Sequence, residues 1–333
     1  MENNSHAVIT TDSIHNDFFK KSHHLVFSQL SFSSVEHDIF ALLLIRLHED
    51  HWQDFQSGKT PESPTYIFTS DVLCEWFNTK KDDLYNILKA PAERLSARVI
   101  GVTTENSKSF DFITLFKRIK YENGKLVIIP NDQLMNQYLH IAGGHAQIFH
   151  KPFRAIKSEH GKRLYSMLCR FKGDEQKLHT QSIQSLHGFF GLLDRNGKLV
   201  KTTYKTNSNF INRIIKPAIA AIKEQDPNIE FDFDGKTGNE GFAYKKEGRK
   251  IVGIDFLYRW KQKETKKPKR DLTYKDALNT YIDVMFGAET EFDRDELIHA
   301  LNHCGSLMSD TSLEKPADIP AFVAKANALL SEL

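Results

Sequence analysis

Cysteine is scarce in this sequence, and its three residues, Cys74, Cys169 and Cys304, stand far apart. An odd number of widely spaced cysteines provides neither a disulfide framework nor the Cys-x-x-Cys pairs of a zinc site. Long apolar runs are also missing, since none approaches the roughly 20 residues that a membrane helix needs. The N-terminal MENNSHAVITTDS lacks the basic-then-apolar order of a secretion signal. These absences predict a cytoplasmic protein that has no membrane partner.

Motifs for catalysis and metal binding are missing as well. The 15 histidines form no His-x-His pair, the metal-binding pair that a DNA-nicking enzyme would need together with a catalytic tyrosine. The segment Gly191–Lys198 is one residue too long for a phosphate-binding loop, and Leu199 replaces the required serine or threonine. We therefore expect that the protein is not an enzyme and that it has no metal site and no cofactor.

Charge is distributed unevenly along the chain, although 45 basic and 43 acidic side chains nearly cancel to a net charge of +2. Residues 1–150 carry a net charge of −4, residues 151–275 carry +14 and residues 276–333 carry −8. A strongly basic middle segment is expected of a protein that contacts nucleic acid. The competing interpretation is a well-solvated basic surface that has no such partner.

The first half of the chain follows the element order of a winged helix. Periodicity predicts a helix within residues 31–50, a strand at Tyr66–Phe68 and helices at Ser70–Phe77 and Lys81–Ala97. Pro91 is expected to bend or split the last of these helices. Two strand-like runs, Phe110–Tyr121 and Lys125–Pro130, are joined through Asn123-Gly124, which is a strong hairpin signal.

The second half repeats this order. Helices are predicted at Ser158–Phe171, Thr180–Phe190 and Asn207–Lys223, and strand-like runs at Ile229–Phe233 and Arg249–Trp260. Four glycines between the two runs fit a wing tip. After a basic stretch that begins at Lys261, helices are predicted at Tyr274–Met285, Arg294–Cys304 and Ala317–Leu330.

Together these patterns predict an α+β fold with two tandem winged-helix domains and an acidic, mainly helical C-terminal tail. We expect a polar leader at residues 1–24, winged helix 1 at residues 25–145 and winged helix 2 at residues 146–262. Residues 263–333 are expected to form a basic linker and the acidic tail, to which the sequence assigns no role.

The helix predicted at Asn207–Lys223 has two contrasting faces. One face is continuous and apolar, and it comprises Phe210, Ile211, Ile214, Ile215, Ala218, Ile219 and Ile222. The opposite face holds Asn209, Asn212, Arg213 and Lys216. No acidic residue occurs from residue 201 to residue 223, whereas surface helices usually mix both signs of charge. Because this helix follows another short helix, it has the position of the reading helix in a helix-turn-helix.

The side chains of this face suit DNA chemically. Arg213 can donate a fork to guanine, the amides of Asn209 and Asn212 match adenine, and Lys216 completes the predicted base-reading set. The predicted phosphate contacts are Lys157, Lys162, Arg163, Lys205, Ser208, Lys245, Lys246, Arg249 and Lys250. Pro217 predicts a kink just beyond the reading surface. The alternative is an amphipathic helix whose basic face is only solvated.

Three stretches resemble the iteron-binding plasmid replication initiators of the theta type, a family with two winged helices in tandem. They are KPFRAIKSEHGKRLYSMLCRFK at Lys151–Lys172, NFINRIIKPAIAAI at Asn209–Ile222 and GRKIVGIDFLYRW at Gly248–Trp260. The resemblance implies that monomers bind iteron direct repeats in double-stranded origin DNA and promote origin opening. It also implies recruitment of host replication proteins, such as the initiator and the replicative helicase.

The same resemblance implies a homodimer that binds an operator inverted repeat and represses its own gene. Winged helix 1 would supply the dimer interface and auxiliary DNA contacts. Winged helix 2 would bind the specific sequence, with Asn209, Asn212, Arg213 and Lys216 as its base-reading residues. The implied location is the bacterial cytoplasm, on plasmid DNA. The hairpin at Phe110–Pro130, with its apolar alternation, is our candidate for the dimer surface.

Two other interpretations compete with this one. A winged-helix transcriptional regulator without an origin function would show the same pattern of elements and charges. A winged helix that binds only proteins conflicts with the net charge of +14 in residues 151–275.

Overall fold

The structure is a computed structural model, and it describes residues 7–27, 31–104, 109–139, 144–172, 178–194, 196–261, 273–286, 294–308 and 317–332. The chain divides into two units, Met1–Lys261 and Gln262–Leu333, which are described separately. None of the helices in these ranges combines the length and apolarity that spanning a membrane requires.

The strands are β1 Val8–Thr11, β2 Phe18–Ser22, β3 Thr65–Phe68, β4 Val99–Thr104, β5 Ser109–Thr114, β6 Phe116–Glu122, β7 Lys125–Pro130, β8 His145–Phe149, β9 Gln181–Ser182, β10 Ile229–Phe231, β11 Phe242–Glu247, β12 Lys250–Phe256 and β13 Tyr258–Trp260. The helices of the first unit are α1 His23–Phe27, α2 Ser34–Leu44, α3 Gln53–Gln56, α4 Ser70–Phe77, α5 Leu84–Ser96, α6 Met135–Leu139, α7 His150–Ala155, α8 Glu159–Arg170, α9 Ile183–Phe189, α10 Asn207–Phe210 and α11 Lys216–Gln225. The second unit contains α12 Tyr274–Phe286, α13 Arg294–Asn302, α14 Cys304–Met308 and α15 Ile319–Glu332.

The first winged helix is built on a four-stranded sheet in the order β1-β3-β7-β6. Its central hairpin confirms the prediction from Asn123-Gly124, because Glu122 pairs with Lys125 across a two-residue turn. Asn123 and Gly124 have φ values of 51° and 73°, as a type I′ turn requires. Helices α2, α4 and α5 complete the domain, and Ser33 caps α2 together with Glu36 in a capping box.

The strand predicted at Phe110–Tyr121 is wrong in one respect, because the structure divides it into two strands. β5 pairs with β4, whereas β6 pairs with β7. Buried Leu115 stands between the two strands, and its backbone N–H donates to the carbonyl of Arg98. Alternating apolar residues indicate a strand but not the neighbour with which it pairs, so the change of partner was not visible in the sequence.

The polar leader predicted at residues 1–24 is wrong. β1 joins the sheet beside β3, and β2 pairs with β8. The segment FFKKS of β2 looks polar, yet it buries Phe19 and also Lys21, which is only 7% exposed. Because β8 starts at residue 145 and pairs with β2, the boundary predicted between residues 145 and 146 would also cut through a strand pair.

The second winged helix consists of α8, α9, the segment from α10 to α11, and a three-stranded sheet in the order β11-β12-β9. The wing is the hairpin of β11 and β12. The prediction of Ile229–Phe233 as the partner strand of the wing is wrong, since the partner is β11, which was not predicted. The structure instead pairs β10 with β13. The hydroxyl of Ser182 caps α9 by accepting from the backbone N–H of Ser185. This helix therefore starts at Ile183, three residues later than the predicted start at Thr180.

The two winged helices pack together where α2 meets α8, and their buried apolar residues form one core. The ammonium of Lys162 in α8 donates to the carboxylate of Asp38 in α2. Nearby, the guanidinium of Arg154 lies 4.5 Å from the centre of the Trp76 ring. This contact surface between α2 and α8 is called the seam below.

The second unit has a core of its own, made by Ala277, Tyr281, Val284, Leu297, Ala300, Leu307, Phe322 and Ala326. The predicted helices of the tail are confirmed, with the small difference that Arg294–Cys304 ends where α14 begins. Residues 262–270 of the predicted basic linker lie outside the described residues.

Candidate nucleic-acid interface

The segment from Asn207 to Gln225 is continuous and has the two faces that the sequence predicts. All seven predicted apolar residues are at most 3% exposed, and they pack into the core. On the other side Asn212, Arg213 and Lys216 are exposed and Asn209 is half-buried. Burial of one apolar face fixes the rotation of the helix, so the four predicted base-reading residues share the outer face.

A widened turn lies inside this helix. Residues Ile211–Ile215 form a π-helical turn, in which the backbone N–H of Lys216 donates to the carbonyl of Ile211. Pro217 lacks an N–H, and its ring would clash with a carbonyl of a regular preceding turn, which the wider turn avoids. The predicted kink beyond the reading surface is therefore wrong in position, since the irregular turn includes Asn212 and Arg213.

The hydrogen bonds of the outer face divide its residues into two pairs. Asn209 donates to the carbonyl of Thr203 at 3.2 Å, and Asn212 donates to the hydroxyl of Ser208 at 3.3 Å. Each amide keeps an oxygen and a second N–H for another partner. Arg213 and Lys216 form no ion pair with any of the described residues. Their charges are thus available to a ligand.

The wing adds a second basic surface beside the reading helix. Lys245, Lys246, Arg249 and Lys250 are all exposed, and Gly248 turns the tip with a φ of 58°. Lys157, Lys205 and Ser208 are exposed as well. Seven of the nine predicted phosphate contacts therefore have the exposure that such a contact needs.

Two predicted phosphate contacts are wrong, because the structure buries them in and beside the seam. Lys162 is 0% exposed and bound to Asp38, and Arg163 is 5% exposed with its guanidinium 5.1 Å from the centre of the Phe189 ring. Burial lowers the pKa of Lys162 to about 8 and that of Arg163 to about 10, and it raises the pKa of Asp38 to about 6. The sequence GKR in the first turns of α8 has the polarity of an exposed helix face, and nothing local in it indicates that α2 packs against it.

One residue of this region was overlooked in the sequence. Asn207, at the start of α10, donates to the backbone carbonyl of Ile251 in the wing strand β12 at 3.2 Å. This contact joins positions 44 residues apart, and no short-range pattern could have indicated it. Within the described residues, no group of three or more His, Cys, Asp or Glu side chains is arranged to hold a metal ion.

Comparisons with known proteins agree with the fold of two winged helices. Residues 18–169 match a family model described as "Initiator Replication protein, WH1", and residues 183–258 match one described as "Initiator Rep protein, WH2". The fold is similar to a crystal structure of the Pi initiator protein in complex with iteron DNA. The identity is 15%, the TM-score is 0.56, and the match covers 74% of this chain and 98% of that chain. No curated protein matches the sequence.

Proposed function

The chain belongs to the family of initiator Rep proteins, and from this membership we propose that it initiates plasmid replication by binding iteron repeats. In this proposal a monomer binds the direct repeats of the origin, promotes opening of the DNA and recruits host replication proteins such as the initiator and the replicative helicase. A homodimer binds an inverted repeat and represses its own gene. The protein acts on plasmid DNA in the bacterial cytoplasm.

The observation that carries this proposal is the outer face of the reading helix. It presents two amides and two cations, with no acidic residue from residue 201 to residue 223. An arginine fork and asparagine amides are the groups that distinguish bases in the major groove. The wing lysines and Arg249 lie on the neighbouring hairpin and supply the cations that phosphates require.

The dimer proposal uses a different surface, on the first winged helix. Within the candidate hairpin, Phe112 on β5 is 52% exposed, so this element presents an apolar side chain at its surface. We propose that β5 and the hairpin of β6 and β7 form the dimer surface. Crosslinking of the repressor form, followed by mapping of the linked peptides, tests this, and links that lie only in the second winged helix would overturn it.

The first test of DNA binding compares two duplexes, one with the direct repeats found beside the gene and one with the same bases scrambled. Arg213→Ala is expected to reduce affinity for the repeat by roughly 1–3 kcal/mol while its affinity for the scrambled duplex hardly changes. Arg259→Ala is the matched control, because Arg259 is exposed but pairs with Glu230 on the opposite strand at 2.9 Å. An equal loss of affinity on both duplexes would show that Arg213 contacts phosphate and does not read a base.

The second test separates an initiator from a transcriptional regulator. An initiator is expected to support replication of a plasmid that carries the repeats and to make nearby AT-rich DNA sensitive to a single-strand probe. Specific binding to one operator without either effect would favour the regulator.

A further inference from the structure

The reading helix and the wing are joined by a side chain that the proposed base and phosphate contacts do not use. Asn207 is half-buried at the start of α10, and its Nδ2 donates to the half-buried carbonyl of Ile251. We propose that Asn207 is a positioning residue that sets the placement of the wing relative to the reading helix. This role rests on the DNA binding proposed above.

Ile251 lies on the tip side of an irregularity in the wing. Lys245 pairs with Gly253 and Lys246 pairs with Ile251, so the register shifts at Val252. A bulge of this kind bends its strand and disrupts the ladder locally. On the inner side of the bulge, Gly253 and Ile254 pair with β9 and fix β12 to the domain. The strand is therefore anchored up to Gly253, and the distal wing, residues 246–251, projects beyond that anchor.

The bond from Asn207 holds this distal wing from outside the hairpin. Among the described residues, no other hydrogen bond connects residues 246–251 to an element outside β11 and β12. The distal wing carries three of the proposed phosphate contacts, Lys246, Arg249 and Lys250. Without the bond from Asn207, these three cations would keep their charge, but no hydrogen bond from the reading helix would hold the distal wing.

Positioning of this kind has a measurable consequence. A net hydrogen bond between neutral groups changes an equilibrium about 2- to 12-fold. Since the wing contacts are proposed to be phosphate contacts, the change is expected on DNA of any sequence. Asn207 and the wing cations should therefore act as a unit, and their substitutions should not be additive.

The experiment measures binding to a random-sequence duplex of about three helical turns by fluorescence anisotropy at several salt concentrations. Asn207→Ala and Arg249→Ala are each expected to weaken binding about 3- to 10-fold, and the double variant is expected to weaken it little more than the stronger single variant. Asn207→Ser, which retains a polar residue at the helix start but is too short to reach Ile251, should reproduce Asn207→Ala. Thermal unfolding of each variant shows whether it is folded.

The matched control is Asn239→Ala, because the amide of Asn239 donates only to Thr237, two residues away. This variant is expected to leave affinity unchanged and to combine additively with Arg249→Ala. Full additivity of Asn207→Ala with Arg249→Ala would overturn the positioning role while leaving the proposed function intact. Failure of the unmodified chain to bind any duplex in a salt-dependent way would instead overturn the proposed function.

Discussion

The two winged helices share an order of elements, but they use their charged residues differently. In the first, Arg94 of α5 binds the fully buried carboxylate of Glu36 at 2.6 Å, and Asp82 and Asp83 precede the helix. In the second, Arg213 points outward without an ion-pair partner among the described residues. Charge on α5 thus stabilises the first domain, whereas the charges of Arg213 and Lys216 in the second remain available for a ligand.

A proline inside α5 and another inside the reading helix extend this comparison. The sequence predicts that Pro91 bends or splits α5, yet α5 runs without a break from Leu84 to Ser96, and Pro91 is buried. Pro217 is exposed and follows a π-helical turn. The same residue type is therefore accommodated by a regular helix in the first domain and by a widened turn in the second, where the turn bears the predicted base-reading residues.

The largest expected effect is the loss of the buried ion pair between Asp38 and Lys162 in the seam. Asp38→Ala leaves the ammonium of Lys162 buried without its partner, which is expected to lower the free energy of unfolding by roughly 3–5 kcal/mol. Urea unfolding measures this change. Asp54→Ala, which removes an exposed pair with Lys59, should cost under about 1 kcal/mol. If the two variants lost equal stability, the seam would not depend on its ion pair.

The buried Lys21 of β2 predicts a dependence of stability on pH. Burial, and secondarily the charge of Arg163, lowers the pKa of Lys21 to about 7, whereas an unfolded lysine has a pKa of about 10.4. Between these values the unfolded chain binds more protons at this position, so the free energy of unfolding rises with pH from about 7 to about 10. In Lys21→Met this contribution should vanish, and denaturant unfolding across this pH range compares the two slopes. A rise of the same size in both proteins would contradict the prediction.

Alanine substitution of one arginine in each domain tests the comparison directly. Arg94→Ala leaves Glu36 with Arg98 as its remaining ion-pair partner in the described residues, and it is expected to lower the free energy of unfolding by about 1–3 kcal/mol. Arg213→Ala should change that free energy by no more than about 0.5 kcal/mol, because it is an exposed residue without an ion pair. Thermal or urea unfolding measures both changes. A larger loss of stability in Arg213→Ala than in Arg94→Ala would contradict the proposed difference between the two domains.

The smallest expected effect concerns the acidic residues before α5. Replacing Asp82 and Asp83 by asparagine should strengthen binding to random-sequence DNA by about two-fold at low salt, because it removes two charges that repel phosphates. The double variant of Asp54→Asn and Asp50→Asn, elsewhere in the first winged helix, makes the same change of net charge. Equal gains in both would show that only the net charge counts.

Several elements could be predicted because their signals are local. Asn123-Gly124 defines its hairpin, since only certain residues adopt positive φ at low cost. The spacing of seven apolar residues determines the buried face of the reading helix, and hence which side chains lie outward. The missed strands β1 and β2 lack such signals, because each is a short strand stabilised by a partner distant in sequence. The missed strand β11 differs from them, because its partner β12 follows it directly across the turn at Gly248 and Arg249.

By itself, therefore, the sequence determined the two-winged-helix order, the basic character of the second domain and the outer face of its reading helix. These depend on residue type and on spacing within one element. Only the tertiary structure decided that Lys162 is buried against Asp38 rather than exposed to phosphates, and that Asn207 reaches Ile251. The environment of a charged or polar side chain depends on which distant segment packs over it, and no spacing within a helix specifies that segment.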